Sequence, residues 1–173
     1  IVAVNASYGC RGTGCYSIYQ KSSIENLTGN GIIFVAAAGN GGTNNDGSYP
    51  VYPCSYDIND IICVGASNQQ DQLYSDSNYG ITSVDLVAPG VNIISTDLAF
   101  STDRNDLRSR SGTSMAVGQV SGSIAVLASV YPYETASQRR QRILDGVDLV
   151  GTNISGKISS GGRLNLYNSL QLT

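Results

Sequence analysis

Histidine and tryptophan are absent from the 173 residues, lysine occurs only at positions 21 and 157, and charged side chains make up just 13% of the chain. Without histidine the chain cannot supply the usual general base near neutral pH, nor the commonest zinc ligand. A complete Ser-His-Asp mechanism therefore cannot be assembled from these residues alone. A Ser-Lys pair would need Lys21 or Lys157 buried beside a serine, and both lie in polar settings. Long apolar runs are missing too. The stretch Ile32 to Ala38 falls far short of the roughly 20 residues a membrane helix needs, and the apolar run at Ile1, with no basic n-region, is not expected to be a targeting signal. Ten Lys and Arg against thirteen Asp and Glu give a net charge of -3, which provides no basic field for nucleic acid or an anionic membrane. Neither is expected as a partner.

The hydrophobic content of 41% favours a packed interior, and the length suits one compact domain over residues 1–173. Cys10 and Cys15 bracket the Gly-rich turn Arg11 to Gly14, which favours a local disulfide over a metal site. Cys54 and Cys63 can form a second bridge, although three pairings are formally open and four reduced thiols in a cytosolic protein is the competing reading. Asn5, Asn26 and Asn153 each open an Asn-x-Ser/Thr glycosylation pattern. Together these features lean toward an oxidising, secreted setting.

Ile1 to Ala6, Ile32 to Ala37 and Asp60 to Gly65 are apolar, β-branched runs of the kind buried on both faces in parallel sheets. Between the first two, Tyr16, Tyr19, Ser23 and Leu27 fall on one face at helical spacing, with Gly29 and Gly31 as stop signals. Strand, helix, strand, loop, strand predicts right-handed crossovers in a parallel α/β sheet. The connection Gly39 to Asp60 is far longer than the usual two to six residues, a length that marks functional loops. Val84 to Val87 and Val91 to Ile94 read as short strands around the turn Ala88-Pro89-Gly90. From Thr113 a helix apolar nearly all round is predicted at the centre of the fold. Thr135 caps another, with Ile143, Leu144 and Val147 inward and Arg139, Arg140 and Arg142 on a solvated outer face.

Two segments carry chemistry. Gly112-Thr-Ser-Met-Ala116 sets Ser114 at a Gly-led turn opening the central helix, where free amides and the positive dipole end meet a ligand. Ala36-Ala-Ala-Gly-Asn40 ends a buried strand in small residues and a carboxamide, at the edge where parallel sheets bind ligands.

With these two blocks the chain resembles the C-terminal part of a subtilisin-like serine protease catalytic domain. Val4 to Gly9, Phe34 to Asn40, Ala88 to Val91 with Ile94 to Thr96, and Gly112 to Ala116 occur in that family's order; Tyr52 to Tyr56, Ile61 to Ala66 and Ser77 to Gly80 are also family-like. The resemblance implies a three-layer α/β fold with a mostly parallel sheet flanked by helices. It implies peptide-bond hydrolysis through an acyl-enzyme on Ser114, with the Asn40 side chain and the Ser114 amide as oxyanion donors. Ser7, Tyr8 and Gly9 match one wall of the pocket for the residue before the scissile bond, and Ala37, Ala38 and Gly39 the opposite wall. Val51, just before a Tyr52-Pro53 pair similar to the family's cis-proline turn, would lie near the floor and favour an apolar over a cationic residue. The partner is a polypeptide substrate. No cofactor is identified and no metal ligand is assigned, while calcium is a family possibility.

The family's aspartate and histidine precede the first block. The chain is thus expected to need an upstream segment carrying both, or else to be a degenerate relative that binds peptide without cutting it. An isolated piece of this kind should expose an apolar strand edge, along Ile1 to Val4 or Ile32 to Val35. Val117-Gly118-Gln119 stands where the family has Ser or Thr, Pro and His after the alanine of the serine block.

Overall fold

The computed structural model describes residues 1–96, 107–151 and 153–172. A six-stranded sheet is built from β1 (Ala3–Ala6), β3 (Ile33–Ala37), β5 (Ile61–Ser67), β6 (Leu86–Pro89), β9 (Asp148–Leu149) and β10 (Gly162–Arg163) in the order β1-β3-β5-β6-β10-β9. All neighbours run parallel except β9, which is antiparallel to β10. Two antiparallel ribbons stand apart: β2 (Cys10–Arg11) with β4 (Val51–Tyr52), and β7 (Ile93–Thr96) with β8 (Leu107–Arg110). The helices are α1 (Ile18–Gly29), α2 (Thr113–Val130), α3 (Ala136–Asp145) and α4 (Leu166–Gln171).

Strand periodicity sorts the core into two layers. Ile33, Val35 and Ala37 of β3 face one side, where Ala116, Val117, Val120, Ile124 and Leu127 of α2 cover the sheet. Phe34 and Ala36 face the other, with Ile24 of α1 and the Cys54–Cys63 pair. The Cys10–Cys15 bridge favoured by the sequence is formed, and of the pairings left open Cys54–Cys63 completes the set. The Tyr52–Pro53 peptide bond is cis. The expected apolar edge lies on β1, whose one partner among the described strands is β3; β3 itself is interior, between β1 and β5.

Three expectations shift. The strand read at Val84 to Val87 runs instead over Leu86–Pro89, so Pro89 closes a strand rather than a turn. It can, because a last residue owes the ladder no further N–H. The next strand leaves the sheet for the β7–β8 ribbon. The arginines of α3 are not a solvated face. Arg139 is only 7% exposed and donates to the carbonyls of Tyr131 and Pro132. Arg140 pairs with Asp85 at 2.8 Å and Arg142 with Glu134 at 2.6 Å. Their long stems turn inward to carbonyls and carboxylates supplied by other segments.

Central helix α2 keeps one open face, with Gly118, Gln119, Gly122, Ala125 and Val126 exposed. A Cβ built at Gly118 meets nothing within 4 Å. Glycine there is therefore not demanded by packing. Gly118→Ala is expected to stabilise this chain by about 0.5–1 kcal/mol, through the backbone freedom it removes from the unfolded state, as read from denaturant midpoints. A loss of stability would mean that α2 needs the glycine.

Asp148 ties the far edge together. It accepts from Asn165 at 2.9 Å, from Arg163 at 2.6 Å and from Asn168 at 3.2 Å. These bonds, that from Asn165 foremost, hold its carboxyl below the ordinary carboxylate range. The unfolded chain binds this proton at higher pH than the folded one, so the contribution is complete above the ordinary carboxylate pKa and disappears as pH falls through the folded value. Asp148→Asn should therefore flatten the acid limb of a stability-versus-pH curve. An unchanged limb would remove Asp148 from the account.

Candidate active site

β1, β3 and β6 all end at one edge of the sheet, and α2 begins there. Gly112 precedes α2 with φ 144°, a backbone region that favours glycine. A side chain at this point would meet the Asn40 carboxamide at 3.2 Å. The Gly112 amide donates to the Gly90 carbonyl at 2.8 Å, tying the start of the helix to the end of β6.

Asn40, three residues beyond β3, is locked to the same turn. Its Oδ1 accepts from the Thr113 amide at 2.9 Å and from the Thr113 hydroxyl at 3.1 Å. That hydroxyl in turn accepts from the Gly39 amide at 3.2 Å. Because the Thr113 N–H can only donate, the carboxamide oxygen must face it and the amide group must face away. Among the described residues the Nδ2 group has no hydrogen-bond partner. Asn40 therefore presents two N–H bonds to the pocket it lines.

Ser114 stands one residue further on, and its amide belongs to the first turn of α2, where no intrahelical acceptor exists. Its hydroxyl donates to the Ser7 carbonyl at 3.1 Å, while the Ser7 hydroxyl donates to the Ser114 carbonyl at 2.9 Å. Asn5 supports this reciprocal pair: its Nδ2 donates to Ser7 Oγ at 2.8 Å and its Oδ1 accepts from Ser121 at 3.1 Å.

One pocket of about 310 Å³ gathers Ser7, Tyr8, Gly9, Ala37, Gly39, Asn40, Val51 and Ser114. Of the residues singled out from the sequence, Ala38 alone is not in its lining. Its side chain is fully buried in the core beneath, and its carbonyl accepts from Asn45 and Asn78. The strand's alternation places it on the opposite face from Ala37.

Sequence reasoning passed over Asn78 as one letter of a family-like block. It is 1% exposed and saturates its carboxamide. Oδ1 accepts from the Gly41 amide at 2.8 Å and from the Thr43 amide at 3.2 Å, and Nδ2 donates to the Ala38 carbonyl at 3.1 Å and to Asn45 Oδ1 at 2.9 Å. Its own amide donates to the Gly39 carbonyl at 2.9 Å. One side chain thus shapes the whole turn that carries Asn40. A polar residue between Ser77 and Tyr79 that follows an apolar strand is a weak signal, since its partners lie more than thirty positions away. Arg11 and Thr113 also line the pocket without having been assigned to it. No cluster of three or more His, Cys, Asp or Glu side chains able to hold a metal ion occurs among the described residues.

The model of the subtilase family matches residues 2–161. The chain belongs to that family of serine proteases. It is 37% identical over 169 residues to the thermophilic serine proteinase of Bacillus sp. (strain AK1), covering 96% of this chain and 37% of that protein. With subtilisin DY of Bacillus licheniformis it shares 37% identity over 123 residues, 71% of this chain and 42% of the relative. This subtilase chain thus spans about two fifths of the length of these relatives. The solved structure of the prenylagaramide maturation protease PagA superposes with a TM-score of 0.80 at 23% identity, over 98% of this chain and 61% of PagA. A chain from the subtilase cytotoxin SubAB assembly gives 0.79 at 25% identity, over 97% and 57%.

Asn78→Ala is expected to cost this subtilase chain about 1–3 kcal/mol, because the substitution strips buried amides and carbonyls of their partners. Amide hydrogen exchange should rise selectively at Gly41 and Thr43. Uniform exchange across the sheet instead would show that Asn78 supports the fold at large and not this turn.

Proposed function

We propose that residues 1–173 are the C-terminal part of a subtilisin-type endopeptidase domain that forms an acyl-enzyme on Ser114. One observation carries the reading: the Asn40 carboxamide oxygen is held by Thr113, so its N–H bonds, the Ser114 amide and the Ser114 hydroxyl belong to a single pocket. Attack of the hydroxyl on a peptide carbonyl converts that carbonyl oxygen to an oxyanion, and donors set in advance stabilise it. Asn40 Nδ2 and the Ser114 amide fill that role. Ser7, Tyr8 and Gly9 form one wall for the residue before the scissile bond, Ala37 and Gly39 the other, and Val51 the floor.

Proton transfer is the missing half. In the resting arrangement the Ser114 hydroxyl donates to a backbone carbonyl, and an amide oxygen is far too weak a base to take the proton. The reading therefore assigns the triad Asp and His to an upstream segment, paired along the open edge of β1 and the exposed face of α2. The two disulfides suit a secreted enzyme, and calcium remains an expectation from the family alone.

Residues 1–173 by themselves are expected to show no peptide hydrolysis and little labelling of Ser114 by a fluorophosphonate, and a longer protein bearing the Asp and His should show both. In that protein Ser114→Ala abolishes turnover. Asn40→Ala lowers kcat about 10²- to 10³-fold, the magnitude characteristic of a subtilisin oxyanion donor, with little change in KM. Hydrolysis by the 173 residues unaided would overturn the upstream base. A longer protein that binds peptide and leaves it intact would make the chain a peptide-binding relative.

A further inference from the structure

The pocket beside Ser114 holds a charge that the proposed reaction does not use. Among its lining residues Arg11 alone is charged. β2 and β4 pair in a register that sets Arg11 opposite Val51, so both side chains leave the ribbon on the same face. The ribbon is braced by the Cys10–Cys15 bridge and by the Gly12 amide, which donates to the Pro50 carbonyl at 2.8 Å. The guanidinium lies over the Tyr49 ring, 5.1 Å from its centroid, and its Nη1 is 3.8 Å from where a side chain on Gly41 would begin. It forms no ion pair within the described residues. A cation with no carboxylate partner among the described residues, in a chain of net charge -3, is a receptor for an anion.

Val51 limits what else can enter. A Cβ added at Gly9 would stand 2.8 Å from Val51 Cγ1, and one at Gly39 would stand 3.3 Å from Val51 Cγ2. The valine is therefore wedged between the two glycine walls and closes the slot at depth. The shortened slot disfavours a long aromatic side chain, whereas a short chain ending in a carboxylate can meet the guanidinium that lines the same pocket. The geometry points to Arg11 as a specificity-determining residue that selects glutamate or aspartate immediately before the scissile bond. The inference rests on the acyl-enzyme reading for its assignment of the pocket. It revises the expectation from sequence: cationic residues are excluded as expected, and the favoured class is acidic instead of broadly apolar. Arg11 escaped notice because only the folded ribbon brings it opposite Val51.

The test uses the longer protein carrying the upstream segment, with matched peptide anilides that differ only in Glu, Gln, Phe or Lys before the scissile bond. Glu should exceed its isostere Gln by about 10- to 100-fold in kcat/KM, the worth of one charge-assisted hydrogen bond, with Phe and Lys lower still. Arg11→Gln should bring the Glu/Gln ratio close to one, and Arg11→Glu should turn the preference toward Lys. Added salt should shrink the wild-type ratio. Equal cleavage of Glu and Gln, better cleavage of Phe, or a Glu preference that survives Arg11→Gln overturns the inference. Should no anilide be cut while Ser114 is intact, the proposed function fails separately. The Glu/Gln ratio for binding of peptides ending at this residue as amides, measured by calorimetry on the same proteins, then decides the role of Arg11 by the same criteria.

Discussion

The bond from the Thr113 amide to the Asn40 carboxamide oxygen is the constraint on which the site depends. It joins the end of β3 to the start of α2, two segments seventy-three residues apart, and fixes a rotation that a free asparagine would sample at will. By occupying the oxygen it also decides which end of the carboxamide a ligand meets. The neighbouring geometry is arranged to leave this bond undisturbed. Gly112 has no side chain to intrude on the carboxamide, and the Thr113 hydroxyl closes a second link to it and a third to the Gly39 amide. A hydrogen bond of this sort is modest in net stability. In the proposed reaction its importance is orientational, since donors already aimed need no reorganisation when charge develops.

The layers of the fold were legible because each rests on a local pattern. β3 and β5 are short runs buried on both faces, and the small and branched residues of α2 leave little choice but a central position. That the segments carrying Ser114 and Asn40 meet was legible for a different reason: both are compact and stand at element ends, and they line one pocket. What escaped lies in long-range partnerships. The arginines of α3 look like a charged surface until Asp85 and Glu134 arrive from elsewhere in the chain. Asn78 has partners on the turn after β3 that no spacing rule connects to it. The departure of β7 from the sheet depends on its pairing with β8, a strand with the sequence Leu-Arg-Ser-Arg that carries no strong strand signature.

These misses share a cause. Polar and charged side chains were assigned by what their own segment suggests, and a segment knows nothing of the carbonyls another one leaves unpaired. Buried polar groups must be satisfied, so the sites where sequence reading fails are those where the satisfaction is tertiary. Arg11, although exposed, escaped for a related reason, because strand pairing sets its place. In the sequence it is a residue inside a cysteine-bracketed turn; on the folded ribbon it stands across from Val51, and both line the pocket.

The crossed bonds between Ser7 and Ser114 have a consequence for timing. Each hydroxyl is anchored on the other residue's carbonyl, so the rotamer of Ser114, the proposed nucleophile, is selected by backbone atoms of the same chain. Folding therefore absorbs the orientational entropy of Ser114 in advance, an entropy that otherwise adds to the reaction barrier. An imidazole supplied as proposed would have only to exchange one acceptor for another, and the hydroxyl would need to turn just far enough to leave a carbonyl that holds it without activating it. On that proposed reading the resting pair is a form of chemical silence: the serine is aimed, and it stays unreactive until its proton is offered a better destination.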